Sequence, residues 1–197
     1  MKKIFLIAIA LFAFQAAWAQ QPNFIDAATA DSLLKQSEAT FPKFCRELTY
    51  IRTHDELIKQ VNFSRSKILN GSPASASPRG VINIDISYLE HPKPDFDDNR
   101  LIVVLYHEIG HLHYFTITPP ADRAPMNSEK AAFEYSLLKT KEMAEKGDCL
   151  PLKTGLKFMK LRSKSNNLQD PHVRALKLMV TEPLYFDYLK YAKEHCG

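Results

Sequence analysis

Apolar and polar positions follow two periods along this chain, and the change from one to the other outlines the fold. From Thr29 to Gln60 the spacing is mainly helical: Leu33, Leu34, Ser37 and Phe41 form one stripe, Pro42 interrupts it, and Phe44, Leu48, Ile51, Leu57, Ile58 and Val61 resume it. Thr53 or Asp55 is placed to cap the next helix. Asn70 to Gly80 is rich in Gly, Ser and Pro, which supply no buried face, and reads as a loop. Val81 to Tyr88 alternates apolar and polar and is the best strand pattern, with Ile82, Ile84 and Ile86 on one face. If it stands at a sheet edge, it can also receive an extended peptide, main chain to main chain.

Helical patterns dominate the rest. Asn99 to Tyr114 has no Pro and one Gly, and follows Asp97 and Asp98, which with Asn99 are good capping residues. Thr118 to Pro125 breaks the chain, and a second helix runs from Asn127 or Ser128 to Glu145, stopped by Gly147. Leu152 to Ser163 follows, then Val173 to Val180 behind Asp170-Pro171, then Leu184 to His195 behind Thr181-Glu182-Pro183. The expected architecture is α+β, mostly helical, a single domain with a small β-sheet packed on the 99–114 helix.

The first nineteen residues stand apart from this domain. Met1-Lys2-Lys3 is basic, Ile4 to Phe14 apolar, and Ala17-Trp18-Ala19 a small-x-small cleavage pattern, the order of a secretory signal peptide. Removal leaves residues 20–197, a secreted or periplasmic protein. The apolar stretch is short for a membrane span and no Cys follows the cleavage point, so no stable membrane anchor is expected. Export permits a disulfide among Cys45, Cys149 and Cys196, with all three pairings open. Without Lys2 and Lys3 the 26 basic residues nearly balance the 22 acidic ones, so nucleic acid is not an expected partner. The one basic cluster, Lys153 to Lys164, reads as a solvated helix face. Asn62-Phe63-Ser64 and Asn70-Gly71-Ser72 match the N-glycosylation pattern.

The candidate chemistry lies in His107-Glu108-Ile109-Gly110-His111. Four residues apart on a helix, His107 and His111 share one face and can offer two imidazole nitrogens to one ion. Glu108 is turned roughly 100° away, beside the ion, where a carboxylate can take a proton from water. Two imidazoles favour zinc, and a catalytic zinc takes a third protein ligand. Glu129, in the first turn of the next helix, is the expected third ligand, because Ala131 and Ala132 allow close packing on the 99–114 helix; Glu134 is the alternative, or an acceptor behind a ligand His. A developing oxyanion would need a donor, for which Tyr114, Tyr135, His113 and His172 are available, although His113 lies about 200° round from His111. His54 reads as a surface residue, and His172 and His195 have no assigned place.

The run from His107 to Tyr114, followed by Glu129-Lys130-Ala131-Ala132-Phe133, resembles the zincin metallopeptidases of the gluzincin type, in particular the minimal gluzincins with an E-x-x-A helix. The metzincin variant does not apply, since it needs Gly and His where this chain has Tyr114 and Ile117. The likeness covers about thirty residues and leaves both outer thirds of the chain unmatched. It implies an exported, zinc-dependent peptidase acting on peptides or proteins, with His107, His111 and Glu129 as ligands and Glu108 as general base. A non-catalytic exported zinc-binding or interaction module with the same fold is the competing expectation; a fourth ligand from His113, Glu134 or Cys149 would mark it.

Overall fold

Three aspartates start three of the helices, each through its side-chain oxygen. Asp26 accepts the Thr29 N–H at 2.9 Å and opens α1 (Ala27–Ser37), and Asp97 accepts from Arg100 at 2.8 Å and opens α4 (Asp98–Ile117). Asp170 accepts from His172 at 2.9 Å and opens α7 (Pro171–Met179). Proline near the first position begins α2 (Pro42–His54), α5 (Pro125–Glu145), α6 (Leu150–Arg162) and α8 (Pro183–His195), where the missing N–H costs nothing. The computed structural model describes residues 24–65 and 72–197. The leader segment 1–19 and the Asn70 glycosylation pattern lie outside the described residues.

The sheet departs from the expected pattern in three places. The helical tract stops at His54, and Gln60–Ser64 is β1; Asp55 accepts the Leu57 N–H at 2.9 Å in a turn and starts no helix. Ala74–Ser77, inside the expected loop, is β2. Val81–Asp85 is β3, and the strand ends early because Asp85 accepts the Ser87 N–H at 3.0 Å and turns the chain into the short α3 (Ser87–Glu90). β3 pairs in parallel with β1 and antiparallel with β2, so the order is β1-β3-β2. The alternating strand is therefore central, and β1 and β2 are the two edges. Gly80, at φ 78°, makes the β2–β3 turn; a Cβ there would meet Leu57 O at 2.5 Å.

Two apolar clusters lie on either side of α4, and together they make one mostly helical α+β domain. One joins α1, α2 and the sheet to α4 through Leu48, Ile82, Ile86, Ile102, Leu105 and Ile109. The other joins α5 to α8 through Leu137, Leu152, Met159, Leu176 and Tyr185. Each fully buried Leu or Ile contributes about 1.5–3 kcal/mol relative to exposure. The lysines of the 153–164 cluster are exposed while Leu156 and Met159 are buried, as expected of a solvated helix face. Among the described residues no helix is long and apolar enough to cross a membrane.

The cysteine pairing left open by the sequence is Cys149–Cys196, which ties the start of α6 to the end of α8. Cys45 is free and buried in the other cluster, and burial pushes its thiol up to about 11. Replacing Cys149 and Cys196 by Ser should lower unfolding free energy by about 2–4 kcal/mol, read by urea denaturation. In the intact protein one thiol per chain should react with a thiol reagent, and only after unfolding.

Candidate metal centre

The centre begins where two helix backbones touch. A Cβ built on Gly110 of α4 would lie 2.7 Å from the Ala132 Cα and 2.9 Å from its carbonyl oxygen. Only glycine permits that approach, and Ala132, fully buried, is the small residue facing it. Glu129 stands nearly one turn before Ala132 on α5 and so arrives beside the imidazoles. His107 and His111 present Nε2 atoms 3.2 Å apart, and the Glu129 Oε2 lies 3.1 Å from the first and 3.6 Å from the second.

α7, packed on α5, brings a fourth group. The His172 Nε2 is 3.1 Å from the same Glu129 oxygen. His107, Glu129 and His172 form a group, with ligand atoms all within 4.8 Å of one another, that could hold a metal ion, and His111 closes on two of them. Atoms about 2.0–2.1 Å from one tetrahedral ion lie about 3.4 Å apart, which the observed 3.1, 3.2 and 3.6 Å bracket. Glu129 Oε2 and His107 Nδ1 are buried and have no hydrogen-bond partner among the described residues. An unsatisfied buried carboxylate oxygen facing three imidazole edges is what a cation would satisfy.

Two neighbours orient the rings. Ser128 Oγ pairs with His111 Nδ1 at 2.8 Å, and Asp170 Oδ1 accepts from His172 Nδ1 at 2.9 Å. Both interactions occupy Nδ1 and turn Nε2 to the centre. Burial, then the charges of His172 and Arg100, holds His107 well below the usual imidazole range; burial and then His107 take His111 down to about 3. Glu108 is 6 % exposed, and burial followed by Glu129's charge lifts it to about 8 against a hydrogen bond from the Ala76 backbone. Burial also raises Glu129, although His172 and His111 pull it down. Neutral imidazoles are ready ligands, and a bound dication would return both carboxyls to their ionised forms.

Comparison with protein-family models, curated proteins and solved structures gave no match. What the centre can do follows from its own atoms and their surroundings.

A cleft of about 770 Å³ opens on His107, Glu108 and His172, walled by Arg100, Val104 and Phe158. A second hollow, of about 420 Å³, joins His111 and Glu129 to Ala74 and Ala76 of the edge strand. Glu134 is elsewhere: Lys130 binds it at 2.5 Å and Glu182 at 2.9 Å. His113 stacks on Tyr135 at 4.4 Å in a separate pocket that also holds His54, and the Tyr114 hydroxyl turns to the Asp122 carbonyl. Of the four candidate donors, only His172 stands at the centre. The sequence pattern did not place it; the available signal was Asp170 two residues ahead, a carboxylate able both to cap the helix and to orient the ring.

Gly110→Ala should separate α4 from α5, cost about 1–3 kcal/mol in urea unfolding, and weaken metal binding at least about tenfold in a chelator competition. Gly155→Ala, whose Cβ would meet only side-chain methyls, the nearest on Val103 at 3.4 Å, is the tolerated control.

Proposed function

We propose that this protein is an exported zinc-dependent peptidase. Support comes above all from the convergence of His107, His111 and Glu129 with Glu108 buried beside them at an open cleft. Imidazole nitrogens with one carboxylate suit zinc, whereas magnesium and calcium prefer all-oxygen surroundings. The Cys149–Cys196 bridge supports an oxidising compartment and agrees with the leader pattern.

Zinc in this place supplies Lewis acidity towards water and towards the scissile carbonyl. Glu108, buried beside the imidazole pair and lining the cleft, takes the proton of the attacking water. The water oxygen joins the carbonyl carbon, the C–N bond breaks, and Glu108 delivers the proton to the departing amine. His172, oriented by Asp170 and 46 % exposed at the cleft, is placed to steady charge on the carbonyl oxygen. The free edge of β2 offers an extended substrate a main-chain partner, in place of the central strand the sequence suggested.

One observation favours a second reading. His172 Nε2 is as close to Glu129 Oε2 as His107 is, 3.1 Å, so a closed four-ligand centre in a non-catalytic zinc module is also available. Glu108→Gln separates the two. In a peptidase it should retain one zinc per chain by elemental analysis while digestion of a peptide library falls about 10²–10⁴-fold. His172→Ala should keep the zinc and slow turnover; loss of zinc in that variant, with no digestion by the unaltered protein, would sink the peptidase proposal.

A further inference from the structure

The peptide-bond chemistry above makes no use of a cation in the cleft wall. Arg100 sits in the first turn of α4, three residues past its cap Asp97, where the helix dipole opposes positive charge. Its guanidinium carbon lies 3.2 Å from the centroid of Phe158, with Phe96 at 5.8 Å. The two rings pack near the guanidinium, Phe158 in close contact, and neither offers an acceptor to its N–H donors. Among the described residues Arg100 makes no ion pair and its side chain donates no hydrogen bond. Burial, joined by the nearby Arg162 charge and opposed by Asp97, lowers it to about 9, and the group remains charged at neutral pH. Arg162, on the same cleft, is already engaged with Asp170 at 2.5 Å. A half-buried cation held in no ion pair, on a helix start, opposes stability on both counts.

Arg100 and His107 are seven residues apart, so both lie on nearly the same face of α4, about 10 Å apart along its axis. An extended peptide covers that distance in about three residues. We infer that Arg100 is the binding group for a substrate carboxylate, gripping it through two parallel N–H donors within about three residues of the scissile bond. The role as a substrate site rests on the peptidase proposal; the carboxylate site itself does not. The carboxylate belongs either to an acidic side chain or to a free C-terminus.

Zinc-loaded protein and its Arg100→Gln and Arg100→Lys variants would be given two sets of peptides. One set compares Glu with Gln at each position under an amidated C-terminus, and the other compares free acid with amide in peptides lacking acidic residues. The unaltered protein should favour the carboxylate in one set by about 10- to 100-fold in kcat/KM, and that set names the source. Arg100→Gln should bring the carboxylate peptide to the level of its amide partner. Arg100→Lys, which keeps the charge and loses the fork, should retain part of the preference. Equal turnover of acid and amide by the unaltered protein, or an undiminished preference in Arg100→Gln, overturns the assignment. If no peptide is cut, the peptidase proposal fails by itself. Titration with N-acetylglutamate and N-acetylglutamine then decides the site: saturable binding of the acid alone, lost in Arg100→Gln, supports it, and no binding overturns it.

Discussion

The contact between Gly110 and Ala132 is the constraint on which the centre depends. Backbone against backbone, it sets the depth at which α5 lies on α4, and so where the Glu129 carboxylate meets the two imidazoles. A methyl group at position 110 would sit inside van der Waals distance of three α5 atoms, two of them main chain, which cannot swing aside. The clusters on either side of α4 hold that arrangement. Ile102 and Ile109 are locked against the sheet side, and Leu137 of α5 is locked into the other cluster. The helix that carries the chemistry is thereby clamped from two directions, and ligand precision follows from core packing.

Charge burial is the second theme. Glu108 and Glu129 are both lifted by desolvation, and His107 and His111 are both lowered, so burial disfavours the charged form of each of these four groups. Without a cation the arrangement opposes stability; the unpartnered Glu129 oxygen shows where the deficit falls. Asp170 joins this centre to the cleft. Its oxygens cap α7, orient His172 and hold Arg162 of α6 at 2.5 Å, so one carboxylate couples α6 to α7. Arg100, on the wall of the same cleft, makes no ion pair among the described residues.

The stabilising devices are set apart from the chemistry. The disulfide closes the cluster built by α5 to α8 at the chain's end, and the free Cys45 is sealed in the other cluster. The edge strand β2 is short and built of Ala and Ser, with little side-chain bulk of its own. It keeps its place through pairing with β3 and through the Ala76 N–H given to Glu108. Small side chains there leave the hollow beside the centre open.

Local patterns in the chain determined the helices from α4 onward, the Asp97 and Asp170 caps, and the imidazole pair, because each depends on residues within a turn or two of one another; α5 and α6 begin two residues earlier than their patterns suggest, at Pro125 and Leu150. The spacing of His107 and His111 carries its own geometry, and Ala132 announced a close helix pair. The three-stranded sheet is mostly hidden: the start of β1, Gln60 and Val61, continues a helical stripe, and β2 has the composition of a loop, since Ala and Ser alternate without a hydrophobic signal and their strand exists only through β3. Glu129 is favoured over Glu134 already by its neighbours Ala131 and Ala132; the disulfide partner and the arrival of His172 and Arg100 at one cleft belonged to tertiary structure alone. Each depends on where helices far apart in sequence come to rest, and that is decided by packing in the two clusters, which no window of neighbouring residues contains.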